Sequence, residues 1–151
     1  MAFSTAGRGI MDEIKMALPF VPTAKGRPKF RVIRGHVHAF TPAKTKDFEY
    51  RVREYYKGAA GGCKFAKGVP ISVSIEFGMP IPLSTSKKRT EEMIRGTIKH
   101  AIKPDLDNLT KSILDALNEV AWHDDAQIVE LHINKRYVKT PNIYITIHEA
   151  E

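Results

Sequence analysis

Cysteine is almost missing from this chain: Cys63 is the only thiol in 151 residues. No intramolecular disulfide can form, and a zinc site built on thiolates would lack ligands. That usage fits a reducing cytoplasm. Long apolar runs are missing too, and no stretch approaches the roughly 20 residues of a helical membrane span. The start has no apolar core of the signal-peptide kind. With Gly7 and Gly9 in it, segment 1–12 reads as a flexible leader before one domain, 13–151. Acid is scarce relative to base: 17 Asp and Glu stand against 24 Lys and Arg, a formal charge of +7. Such a balance favours an anionic partner, nucleic acid or an acidic membrane surface. Repeats and low-complexity tracts are absent. The 42% hydrophobic content is ordinary for a globular domain with a real core.

The coarse pattern alternates strands and helices. Glu13 to Phe20 reads as a first strand, ended by Pro19 and Pro22. Phe30–Ile33 and His36–Phe40 flank Arg34-Gly35, which predicts a β-hairpin. Thr41-Pro42 opens a helix, with Thr41 as cap, and Gly58 is expected to stop it. The loop after it holds Cys63, read as an incidental thiol. Val69 to Phe77 alternates and predicts a strand. Ser86 to Thr97 is basic and predicts a short helix. Asp107 to Glu119 is a helix with an apolar stripe of Leu106, Leu109, Ile113, Leu114 and Leu117. Two strands follow, Gln127 to Tyr137 and Ile143 to His148. The expected fold is α+β: a two-layer sandwich, with a mixed β-sheet and helices mainly on one face.

The chemistry is concentrated at the two ends of that last helix. Asp105 and Asp107 stand at its start, Lys111 one turn further on, and Asp124-Asp125 beyond its end. A single aspartate there would be a cap, since carboxylates are favoured at the positive end of a helix. Two crowded acids repel unless a cation lies between them. Lys111 alone would be a surface ion-pair partner of Asp107 or Asp115, and Asp124-Asp125 alone a solvated turn. A helix of about 13 residues is about 20 Å long. Spacing therefore permits a joint site of Asp105, Asp107 and Asp125 without compelling it. Trp122 reads as the packing anchor of the loop carrying the second acid pair.

Basic residues form two clusters. One holds Lys25, Arg27, Lys29, Arg31 and Arg34; the other holds Lys87, Lys88, Arg89, Arg95, Lys99 and Lys103. Either alone would be a solvated face. Beside an acid cluster they make a phosphate track, and the second runs straight into the acidic segment. The six histidines are scattered. His36 and His38 alternate on the hairpin, and His123 adjoins the acids; surface strand and loop positions are their ordinary readings.

The run KPDLDNLTKSILDALNEVAWHDDAQIVEL resembles the RusA family of Holliday junction resolvases, endodeoxyribonucleases common on phages and prophages. In that resemblance Asp105, Asp107 and Asp125 match the family's metal-binding acids, Lys111 its catalytic lysine, and Asp124 the acid beside the third. PTAKGRPKF (22–30) and Tyr50 to Tyr56, after Thr41-Pro42, resemble the family's N-terminal half more weakly. The resemblance implies a Mg²⁺-dependent nuclease, with Mn²⁺ as a substitute ion. It also implies a homodimer acting on four-way junctions in recombination and repair. Lys25, Arg27, Lys29, Lys87, Lys88, Arg89 and Lys103 are then the expected DNA contacts. The alternative is a non-catalytic branched-DNA-binding protein whose acids are structural.

Overall fold

A computed structural model describes residues 13–151, so the expected leader 1–12 lies outside the described residues. Four strands form a mixed sheet: β1 (Ile14–Leu18), β4 (Ile71–Met79), β5 (Ile128–Tyr137) and β6 (Asn142–Glu149), in the order β1-β6-β4-β5. β6 runs antiparallel to β1 and β4, and β4 runs parallel to β5. A parallel neighbour needs a long crossover. Here the crossover holds α2 (Lys87–Ile94) and α3 (Leu106–Leu117). A separate hairpin, β2 (Lys29–Ile33) and β3 (His36–Phe40), precedes α1 (Ala43–Ala60). This is the α+β architecture that the sequence predicts.

Alternation decides which side of the sheet is dry. Ile71, Val73, Ile75 and Phe77 of β4 and Ile143, Ile145 and Ile147 of β6 are buried. They join Phe48, Val52 and Tyr56 of α1 and Leu109, Ile113 and Leu117 of α3 in one core. Leu106 and Leu114, also in the expected stripe, pack partly buried against it. The other face is polar: Ser74, Glu76, His132, Asn134, Tyr144 and Thr146 line a shallow open cavity there.

Several boundaries move from their expected places, each for a local reason. Thr41 is not the cap of α1; Pro42 holds that position, and its carbonyl accepts from the Thr45 and Lys46 amides. Gly58 does not stop α1, which continues to Ala60 because the buried Tyr56 anchors its last turns. Gly61 ends it, at φ 60°, where a Cβ is disfavoured. β4 starts after Pro70 and extends to Met79, because both neighbouring strands pair that far or nearly so. α3 stops at Leu117 since Glu119 takes a left-handed φ of 64°. The hairpin turn is as expected, with Arg34 and Gly35 both at positive φ, which matches the twist of the strands.

Candidate active site

The α3 helix carries its chemistry at its start. Asp105 is its N-cap residue but makes no side-chain cap bond. Its two carboxylate oxygens instead accept from Lys103 Nζ at 2.7 Å each. Lys103 is an expected DNA contact that the structure places on an acid. The lysine side chain is 83% exposed, so the pair contributes roughly 0–1 kcal/mol and yields readily to a competing cation or phosphate. Asp107 lies in the first turn, exposed, and Lys111 follows one turn on, also exposed. Among the described residues no ion pair joins Lys111 to Asp107 or Asp115. The loop leading into this end is held from the sheet: Lys135 Nζ on β5 donates to the carbonyls of Ile102 (2.6 Å) and Pro104 (2.8 Å).

The second acid pair is built differently. Asp124 caps a 3₁₀ turn, Asp125–Gln127, by accepting from the Ala126 amide at 2.8 Å. Gln127 completes a capping box: its Oε1 accepts from the His123 and Asp124 amides. Its Nε2 donates to Ala66 O and Val69 O, which ties the turn to the loop before β4. Asp125 Oδ1 accepts from Trp122 Nε1 at 2.7 Å, and Trp122 is fully buried. Trp122 is thus the anchor that the sequence predicts. His123 is exposed and lines a shallow pocket with Lys67, Asp124 and Gln127.

Burial pushes the Asp125 carboxyl above the ordinary aspartate range. The Trp122 hydrogen bond pulls it back, and the charges of Asp115 and Asp124 raise it again. With the folded pKa above the unfolded one, the folded chain binds this proton more tightly. Stability is therefore lost as pH rises from the ordinary aspartate pKa through the raised one. Asp125→Asn keeps the acceptor for Trp122 and removes the charge. In metal-free buffer at pH 7 it is expected to melt a few degrees above the wild type, with the gain disappearing in acid. Equal melting points at pH 7 would show that the raised value has no energetic consequence.

The two acid pairs do not meet within one chain. α3 has 12 residues, which makes it about 18 Å long. The sheet gives the same answer independently. Lys135 touches the Pro104 end, and it lies seven residues along β5 from Ile128, about 23 Å of strand. Among the described residues no group of three or more His, Cys, Asp or Glu side chains could hold a metal ion. Asp105, Asp107 and Asp125 of one chain therefore do not fit a bound cation by themselves.

The basic residues divide. Lys87, Lys88 and Arg89 are exposed on α2, which Ser86 caps by accepting from the Arg89 amide. Arg27 and Lys29 are exposed at the root of the hairpin. Lys25 is different from the expected DNA contact. Its Nζ lies between Glu49 and Asp115, 2.9 Å from the latter. Burial works against its charge, but the two carboxylates outweigh it and hold the pKa above the ordinary lysine value. Lys25 is a strut between α1 and α3, its charge already balanced by two carboxylates. Sequence reading missed two positioning residues. Gln127 had a signal, the D-x-x-Q spacing of a capping box. Lys135 had none, since its bonds are purely tertiary.

A cationic α+β chain with acids at both ends of one helix has the features of an endodeoxyribonuclease. The sequence profile of endodeoxyribonuclease RusA matches residues 19–148. The chain belongs to the RusA endodeoxyribonuclease family. It is 34% identical over 140 residues to the uncharacterized protein YqaN of Bacillus subtilis strain 168, covering 93% of this chain and 99% of the relative. It is 27% identical over 139 residues to the crossover junction endodeoxyribonuclease RusA of Lactococcus phage r1t, covering 91% and 98%.

Proposed function

We propose that this chain is a Mg²⁺-dependent endonuclease that resolves four-way DNA junctions by paired nicks, as a homodimer, in recombination and repair. The observation that carries the reading is the arrangement along α3. Asp105 and Asp107 stand at one end and Asp124 and Asp125 beyond the other, with the exposed Lys111 between, in a chain of charge +7. The match to the RusA family supports the reaction class. Mg²⁺ is the ion proposed, with Mn²⁺ as substitute; a hard divalent cation takes oxygen ligands and neutralises phosphate charge.

The separation of the acids in one chain supports a site completed by a second copy. A two-fold axis beside α3 exchanges its ends, and Asp105 and Asp107 of one copy then face Asp125 of the other. The same axis suits the substrate, because a four-way junction is two-fold symmetric and needs two equal nicks. Lys111, one turn from Asp107, offers its ammonium to the phosphate under attack. The α2 cations, on a separate helix from the acids, hold an arm of the junction.

The reading is tested with a labelled four-way junction and a linear duplex, each with Mg²⁺ or EDTA. Paired nicks confined to the junction and abolished by EDTA are expected. Binding without cleavage under every condition would favour the branched-DNA-binding alternative. That alternative draws on the structural bonds of Asp124 and Asp125. Replacing Lys87, Lys88 and Arg89 together by alanine is expected to weaken binding with turnover at saturation preserved. Every phosphate that α2 no longer neutralises should flatten the slope of log affinity against log salt by about 0.9. An unchanged slope would take α2 off the DNA path.

A further inference from the structure

Among the described residues, the hairpin β2–β3 is the sheet element that stays outside the shared core, and all ten of its residues are exposed. Its register sets Phe30 opposite Ala39 and Val32 opposite Val37, so these four share a face. Phe30 is 69% exposed, and Val32 and Val37 are 68% each. The opposite face carries Lys29, Arg31, His36 and His38 together with Ile33 and Phe40, and the Arg31 guanidinium lies 5.3 Å from the Phe40 ring centroid. A lone two-stranded hairpin is marginal in water, and this one leaves its apolar side bare. We propose that the apolar face of the hairpin docks on a second copy of this chain, over Val129 and Leu131 at the start of its β5.

Position argues for that occupant. The hairpin leaves the body beside the start of α3: Lys25 N donates to Asn108 O at 3.1 Å, and Gly26 N to Thr45 Oγ1 at 3.1 Å. The paired arrangement proposed above brings the Asp125 end of the second copy to this place. The inference rests on that pairing. Val129 and Leu131 follow Asp125 directly and are themselves uncovered, at 60% and 41%. Charge agrees as well. The turn of the arm brings Arg34, and the segment just before the receiving strand brings Asp124 and Asp125. A duplex offers nothing to Phe30, Val32 and Val37; its phosphates suit the basic face instead.

Two measurements test the docking without DNA, metal or cleavage. In a Cys63→Ser background, chains with Val37→Cys are mixed with chains carrying Val129→Cys and oxidised gently. A disulfide-linked pair is expected from the mixture and not from either chain alone. The Phe30→Ser, Val32→Ser, Val37→Ser triple variant is then followed by sedimentation velocity. Its dimer dissociation constant should rise by roughly 100-fold, with circular dichroism of the body unchanged because these side chains lie outside the core. A mixture that fails to cross-link, or a triple variant that pairs like wild type, overturns the proposal. A variant that stays dimeric but loses duplex affinity overturns it too and assigns the arm to DNA. A cross-linking dimer that never nicks a junction would sink the nuclease reading and leave the docking standing.

Discussion

Asp107→Asn is expected to abolish nicking of a four-way junction while leaving junction binding intact or tighter. Asp107 is exposed in the first turn of α3, and its carboxylate makes no hydrogen bond or ion pair among the described residues. Its loss therefore costs the fold only its favourable position at the helix start, about 0.3–1 kcal/mol. In the proposed complex its charge faces a polyanion, so neutralising it removes repulsion and should help binding. In the proposed site, turnover depends on the charge itself. Removing one group that stabilises the transition state costs at least about 100-fold in rate. Asp105→Asn should behave alike, with the added release of Lys103 from its carboxylate. Gel shift and single-turnover cleavage at saturating Mg²⁺ separate the two effects. Near wild-type turnover in either variant would remove that acid from the site.

What the sequence makes legible here is local. The α3 stripe is readable because Leu109, Ile113 and Leu117 repeat at helical spacing, and all three are buried. The β4 alternation is readable for the same reason, and the mixed sheet follows from strands separated by a long helical crossover. Strand and helix ends are less so. Gly58 looks like a stop, yet a buried Tyr56 carries the helix past it. The acids are visible as a motif, but their separation is set by the length of α3 and by the place where Lys135 meets the 102–104 loop. Neither is encoded in spacing. Lys25 shows the limit most clearly. In sequence it is one cation of a basic cluster; in the fold, Glu49 from α1 and Asp115 from α3 converge on it. The hairpin is predicted correctly as a hairpin, while its isolation from the core depends on everything it fails to touch.

Mixing two inactive proteins, Asp107→Asn and Asp125→Asn, is expected to restore nicking. If each site takes Asp105 and Asp107 from one copy and Asp125 from the other, a mixed dimer holds one site with both lesions and one with none. Random exchange in an equal mixture makes about half of the dimers mixed, so about a quarter of all sites are intact. Those dimers carry one working site each. Their product should be a junction nicked on one strand, with paired resolution largely lost. Sites built within one chain give the opposite result, because every site in the mixture would then carry a lesion. The length of α3 favours the first outcome: the helix between the two acid pairs is about 18 Å long, several times the reach of ligands on one small cation. A double variant, Asp107→Asn with Asp125→Asn, mixed with wild type is the control. Its mixed dimers should carry one lesion in each site and no intact one, and they should add nothing to the activity of the remaining wild-type pairs. A mixture of the two single variants that stays dead, under conditions where exchange is confirmed by tag capture, would place the whole site in one chain and require α3 or the turn at Asp124 to move by many ångströms.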